Sequence, residues 1–228
     1  VKTKDAPRFG SRAFAEPPQR KTAAKKAAGT PDAALPREVR IIGGAWKRSK
    51  LPVALMPGLR PTPDRVRETV FNWLGADLSG WRCLDAFAGS GALGFEAASR
   101  GASSVTLLER EHRQVRSLVE SKLRLKADAL RVEAADALSW MGRSPAKSFE
   151  LVFIDPPFDS SLLEPALRAA TRLLVPDGFI YLEAASAQTD ETLAPFGLKL
   201  HRHVRAGHVH AHLLMLKGEG YTEPQPES

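Results

Sequence analysis

Residues 83–94 read Cys-Leu-Asp-Ala-Phe-Ala-Gly-Ser-Gly-Ala-Leu-Gly, and this stretch decides the fold. Gly89, Gly91 and Gly94 have the spacing G-x-G-x-x-G, placed between an apolar run and a helix-like segment. Glycines there let the backbone turn tightly and approach a ligand closely. Glu109 follows 20 residues after Gly89, at the end of the next strand-like run, where a carboxylate can accept hydrogen bonds from ribose hydroxyls. Several nucleotide cofactors share those needs. Asp85 separates them, because it ends the first strand four residues before Gly89. A carboxylate there repels a pyrophosphate and attracts the ammonium of a methionine moiety. The reading is therefore S-adenosylmethionine, with Asp85, Phe87, Gly89, Ser90, Gly91 and Glu109 as candidate contacts. Asp136 is placed as acceptor from the adenine amine, with a plain helix N-cap as its competing role.

Outward from the glycine loop, strands and helices alternate. Strands are expected over 82–87, 104–109, 130–134, 149–154 and 178–183, with helices over 92–100, 111–126 and 161–174. This order predicts an α/β protein with a parallel sheet covered on both faces. Near the C-terminus, 198–205 and 208–216 flank Ala206-Gly207, which predicts an antiparallel hairpin. Before the glycine loop, 40–44 and 51–55 are expected as a short hairpin around Lys47-Arg48-Ser49-Lys50. Thr62 and Pro63 are expected as N-cap and first residue of a helix running to about Leu74.

Residues 152–158, Val-Phe-Ile-Asp-Pro-Pro-Phe, form an apolar strand that ends in an acid and is stopped by two prolines. Ligands of open parallel sheets bind at such strand ends. An exocyclic base amine is a poor nucleophile, since its lone pair is delocalised into the ring. Two acceptors on its N–H bonds, the Asp155 carboxylate and the Pro156 carbonyl, would turn the lone pair toward a methyl donor. Pro157 fixes the turn, and Phe158 offers a face on which an extruded base stacks. In isolation, Asp-Pro-Pro is equally good chemistry for a plain turn.

Asp155-Pro156-Pro157-Phe158 resembles the D/N/S-P-P-Y/F/W motif of amino-group methyltransferases. Together with RIIGGAWKRSKL at 40–51, GLRPTPDRVRETVFNWL at 58–74 and CLDAFAGSGALGFEAASRGA at 83–102, it makes the chain similar to the bacterial 16S rRNA guanine-N2 methyltransferases of the RsmD type, over residues 38–217. The resemblance implies a class I, Rossmann-like sheet of seven strands, S-adenosylmethionine as cofactor, and a guanine of small-subunit ribosomal RNA as target. The alternatives are an adenine-N6 methyltransferase, which uses a related motif but usually carries a separate recognition domain, and a non-catalytic RNA-binding protein on a relict cofactor fold.

Charge agrees with a polyanionic partner. Ten bases and four acids up to Arg40 carry +6 of the formal +7. Residues 1–37 read as a disordered basic tail, 38–217 as the methyltransferase domain with an extension at 38–80, and 218–228 as a flexible tail. The basic tail attracts polyanions or serves only as a solubilising leader. Lys47, Arg48, Lys50, Arg60, Arg65 and Arg67 are expected to line an RNA surface beside the site. Arg60, Thr62 and Arg65 are alternatively placed over the cofactor's carboxylate. His208, His210 and His212 alternate on one strand face, but neither an acid nor a cysteine completes a ligand set, so no metal is expected. A single cysteine, Cys83, and the lack of an apolar run of membrane length suit a monomeric cytoplasmic protein.

Overall fold

The computed structural model describes residues 38–53, 63–157 and 161–218. The expected α/β architecture is present. The core is a seven-stranded sheet of order β5-β4-β3-β6-β7-β9-β8. Its members are β3 (Arg82–Asp85), β4 (Ser104–Glu109), β5 (Leu130–Ala134), β6 (Phe149–Ile154), β7 (Leu174–Ala184), β8 (Leu198–Ala206) and β9 (Val209–Leu216). Strands β3 to β7 pair in parallel, and β9 runs antiparallel to both β7 and β8. The order reverses between β4 and β6 across β3, which makes the C-terminal end of β3 the point where a doubly wound sheet opens a crevice.

Alternation along the strands builds two apolar layers. Cys83, Leu151, Phe153, Tyr181 and Leu213 face one layer, where they meet Val66, Val70 and Phe71 of α1 (Asp64–Leu74), Phe95 of α2 (Ala92–Ser99) and Leu118 of α3 (His112–Leu125). Leu84, Val152, Ile154, Ile180, Leu182 and Leu214 face the other, against Met141 of α4 (Ala137–Arg143) and Ala166, Leu167 and Leu173 of α5 (Leu163–Leu173). Fully buried side chains such as Phe71, Phe95 and Phe153 each contribute roughly 1.5–3 kcal/mol through loss of contact with water. Among the described residues, no helix is long and apolar enough to cross a membrane.

Several boundaries differ from expectation for identifiable reasons. The first hairpin is shorter, pairing β1 (Glu38–Arg40) with β2 (Lys50–Pro52). Ile42, Gly43 and Ala45 do not join it, because their N–H groups are used elsewhere: Ile42 and Gly43 donate to Glu96 at 2.7 and 2.8 Å, and Ala45 to the Ser99 carbonyl at 2.7 Å. Helix α1 begins one residue later than expected. Pro63 is its N-cap, with ψ of 143°, and its carbonyl accepts from Val66 and Arg67. The expected cap, Thr62, lies outside the described residues. Strand β7 starts at Leu174, directly after α5, and reaches its regular register with β6 only after a shift between Phe149 and Leu151. The short helices α4 and α6 (Asp190–Leu193) were not among the expected elements. Each is capped by a side chain, Asp136 on Ser139 and Thr189 on Thr192.

Candidate active site

Strand β3 delivers Asp85 to the crevice, and the chain then turns sharply through 86–91. Gly89 and Gly91 take positive φ values of 51° and 77°, a conformation costly for residues with a Cβ. Gly91 also closes against Leu118, and Gly94 against Leu107: a Cβ on Gly94 would lie 2.1 Å from Leu107. The first two glycines thus shape the turn, and the third lets α2 lie close on β4.

Asp85 is buried, with Oδ2 accepting the Gly94 N–H at 3.0 Å. Burial pushes its carboxyl up to about 7, despite that hydrogen bond, and the charges of Glu109 and Glu183 add to the rise. Glu109 spans the end of β4 and the loop: Oε2 accepts the Gly89 N–H at 3.0 Å and Oε1 the Glu111 N–H at 2.8 Å. The expected ribose ligand therefore also holds the glycine loop in place. Phe87 and Ser90 are half-buried in that loop. Asp136 is exposed and caps α4 through Oδ1 to the Ser139 N–H at 2.8 Å, which holds its carboxyl below the usual range. Of its two expected roles the cap is the one observed.

Asp155 follows β6, half-buried, with Pro156 buried and Pro157 exposed; Phe158 lies outside the described residues. Ile154 and Leu182 are in register, so Asp155 and Glu183 leave neighbouring parallel strands side by side. Burial, then the charges of Glu183 and Asp85, hold the Asp155 carboxyl well above its ordinary value. Glu183 is itself buried and accepts the Tyr181 hydroxyl at 2.8 Å. It was not among the expected site residues, yet the signal was present. Asp85, Glu109, Asp155 and Glu183 all close or directly follow apolar parallel strands. The sheet gathers these acids around one crevice.

The basic residues divide. Lys47, Arg48, Lys50 and Arg65 are exposed, with Lys50 paired to Glu38 at 2.6 Å, while Arg60 lies outside the described residues. Arg67 does not fit the expected RNA surface. It is completely buried, its Nη2 donating to the Arg40 carbonyl at 2.8 Å and to Asp64 at 2.6 Å, with Nη1 3.9 Å from Glu96. Its helical position faces the core side of α1, where it ties β1 to that helix. Glu96 completes the joint through Arg100 at 2.9 Å. The histidine grouping also differs from expectation. His208 lies in the turn before β9, and His203 of β8 takes its place beside His210 and His212.

The family described as "Conserved hypothetical protein 95" matches residues 39–215. The "Ribosomal RNA small subunit methyltransferase D" of Escherichia coli K12 is 40% identical over 188 residues, covering 82% of this chain and 94% of its own length. The Haemophilus influenzae protein of the same name is 44% identical over 153 residues, covering 64% of this chain and 78% of its own. Among solved structures, "Putative methyltransferase yhhF from Escherichia coli" superimposes with a TM-score of 0.69 at 41% identity, over 80% of this chain and 99% of that one. The chain is similar to these along most of its length, and it belongs to the ribosomal RNA small subunit methyltransferase D family.

Proposed function

We propose that the chain transfers a methyl group from S-adenosylmethionine to the exocyclic N2 amine of a guanine in small-subunit ribosomal RNA, acting as a monomer in the cytoplasm on the subunit or its assembly intermediate. One observation carries the cofactor assignment. Asp85, Glu109, Asp155 and Glu183 converge at the strand ends, where burial first, and then the charges of neighbouring acids, raise Asp85 and Asp155. Such a crevice repels a pyrophosphate and favours a ligand with cationic groups, and S-adenosylmethionine carries both an ammonium and a sulfonium. The donor set therefore fits the group: Asp85 toward the ammonium, Glu109 toward the ribose, and Phe87, Gly89, Ser90 and Gly91 along the loop. The cofactor supplies an activated methyl on sulfur.

The chain's own part is positioning. The Asp155 carboxylate and Pro156 carbonyl accept the two N–H bonds of the target amine and aim its lone pair. Pro157 keeps the strand from continuing, and Phe158 stacks on the extruded base. After transfer the nitrogen bears a surplus proton. Asp155, whose affinity for protons is raised by burial and then by the charges of Glu183 and Asp85, takes that proton and passes it to solvent. Lys47, Arg48, Lys50, Arg60 and Arg65 contact the RNA backbone and set its register.

The test is transfer of tritiated methyl to small subunits and to naked small-subunit RNA, followed by nucleoside analysis. Label in N2-methylguanosine supports the proposal. Label in N6-methyladenosine, or no label with a folded and cofactor-binding chain, overturns it.

A further inference from the structure

The β8–β9 hairpin carries a cluster that methyl transfer leaves unused. His210 and His212 stand at i and i+2 on β9, so they share a face. His203 on β8 is the direct partner of His212, and directly opposed antiparallel residues lie on the same face. His203 Nε2 lies 3.0 Å from His210 Nδ1. The rings of His203 and His212 stack with centroids 4.7 Å apart. One ring nitrogen from each histidine lies within 4.8 Å of one from each of the others. Zinc–nitrogen bonds of about 2.0–2.1 Å place tetrahedral ligands roughly 3.3 Å apart. The His203–His210 pair, at 3.0 Å, is close to that separation, and the three ligand atoms all lie within 4.8 Å of one another.

His212 is also oriented from behind. Its Nδ1 lies 3.3 Å from the Leu182 carbonyl oxygen, which can only accept. The proton is therefore on Nδ1 and the lone pair on Nε2, which now accepts the Gln188 N–H at 3.0 Å. A backbone carbonyl on one ring nitrogen is the usual outer partner of a metal-binding histidine. Ligation through Nε2 requires only that Gln188, in the short segment between β7 and α6, release its hydrogen bond.

We propose that His203, His210 and His212 bind one divalent cation of the zinc class, with water completing the coordination. The all-imidazole donor set selects zinc, nickel or copper over magnesium and calcium, which require oxygen ligands. Arg205, the register partner of His210, opposes a cation and makes the site weaker than one that includes a carboxylate. Strand β8 is antiparallel to β9, as β7 is, so its C-terminal half lies at the same end of the sheet as Asp155. A cation there cross-links β8 to β9 at that end of the sheet.

The test uses the full chain without an affinity tag, stripped with chelator. Zinc chloride is titrated calorimetrically, cobalt chloride by visible absorption, and Gln188 is followed by its amide resonance. Expected are one zinc per chain, a tetrahedral cobalt spectrum, a shifted Gln188 amide and no response to magnesium. His203→Ala and His210→Ala avoid the buried His212; each weakens zinc by more than the roughly 10–100-fold typical of losing an outer-shell partner. His208→Ala leaves zinc binding unchanged. Undiminished binding in either of the first two variants overturns the proposal, as does lack of zinc binding in a folded parent chain. If the parent binds no zinc and those variants lose RNA affinity, the histidines belong to a nucleic-acid surface instead.

Discussion

Replacing Asp85 with Asn tests the electrostatic reading of the crevice, because the amide keeps the shape and the acceptor for Gly94 but removes the charge. The Asp85 carboxyl is raised from 3.8 to about 7 in the folded chain, chiefly by burial. A group whose folded value is raised binds its proton more tightly when folded. It therefore costs nothing below about pH 4, where folded and unfolded chains are both protonated. The cost grows between pH 4 and 7 and is complete above. At about 1.36 kcal/mol per tenfold change in proton affinity, the full cost is about 4 kcal/mol on an order-of-magnitude scale. Asn resembles the protonated acid, so Asp85→Asn should match the parent in stability near pH 4. It should exceed the parent by up to about 4 kcal/mol at pH 8, in cofactor-free urea unfolding. Cofactor binding should move oppositely. The ionised carboxylate meets the ammonium, so parent affinity for S-adenosylmethionine rises with pH through about 7. The variant binds at least about tenfold more weakly at pH 8 without that rise, since a hydrogen bond to a charged group is worth about 1.5–3 kcal/mol. A stability difference that is flat from pH 4 to 8, or unchanged cofactor affinity by calorimetry, would refute the assignment.

Asp155→Ala should lower single-turnover methylation on the order of a hundredfold or more while cofactor affinity stays close to normal, because the lost acceptor orients the target amine. Near-normal rates in the folded variant would reduce Asp-Pro-Pro to a turn. Glu96→Ala removes the buried acceptor of Ile42, Gly43 and Arg100. Stability should fall by about 3–5 kcal/mol, a Tm decrease of roughly 6–20 °C by thermal melt. Gly44→Ala should destabilise by at least about 1–3 kcal/mol, since φ is +72° and the new Cβ would lie 1.8 Å from the Ser99 oxygen; an unchanged melt would disprove that contact. Deleting residues 1–36 removes most of the chain's net positive charge. It should leave cofactor binding intact but weaken RNA affinity and flatten its salt dependence, whereas equal salt slopes would make the tail a passive leader.

Elements with a regular period, and the glycine loop between them, were legible along the chain. Strands β4, β5 and β6 occupy the expected residues, because an apolar run as in β6, or an apolar–polar alternation as in β5, has little freedom in how it enters the sheet. Gly89 and Gly91 were legible for a local reason, since a tight strand-to-helix turn with positive φ requires glycine there, and Asp85 for the charge it places at the strand end. Which distant groups meet depends on the folded chain. Arg67 reads as one of several basic residues, yet its position on α1 turns it into the core toward Glu96. Asp136 reads as a ligand or a cap, and its contact with the Ser139 N–H shows the cap. Glu183 acquires its meaning from standing beside Asp155, and His203 from facing His212 across a hairpin whose register includes a shift between Leu200 and Arg202. Hydrogen bonds and charge interactions act over a few ångströms in space, whatever the separation along the chain. Composition and periodicity therefore place a residue on an element and a face, and folding supplies the partners that set its chemistry.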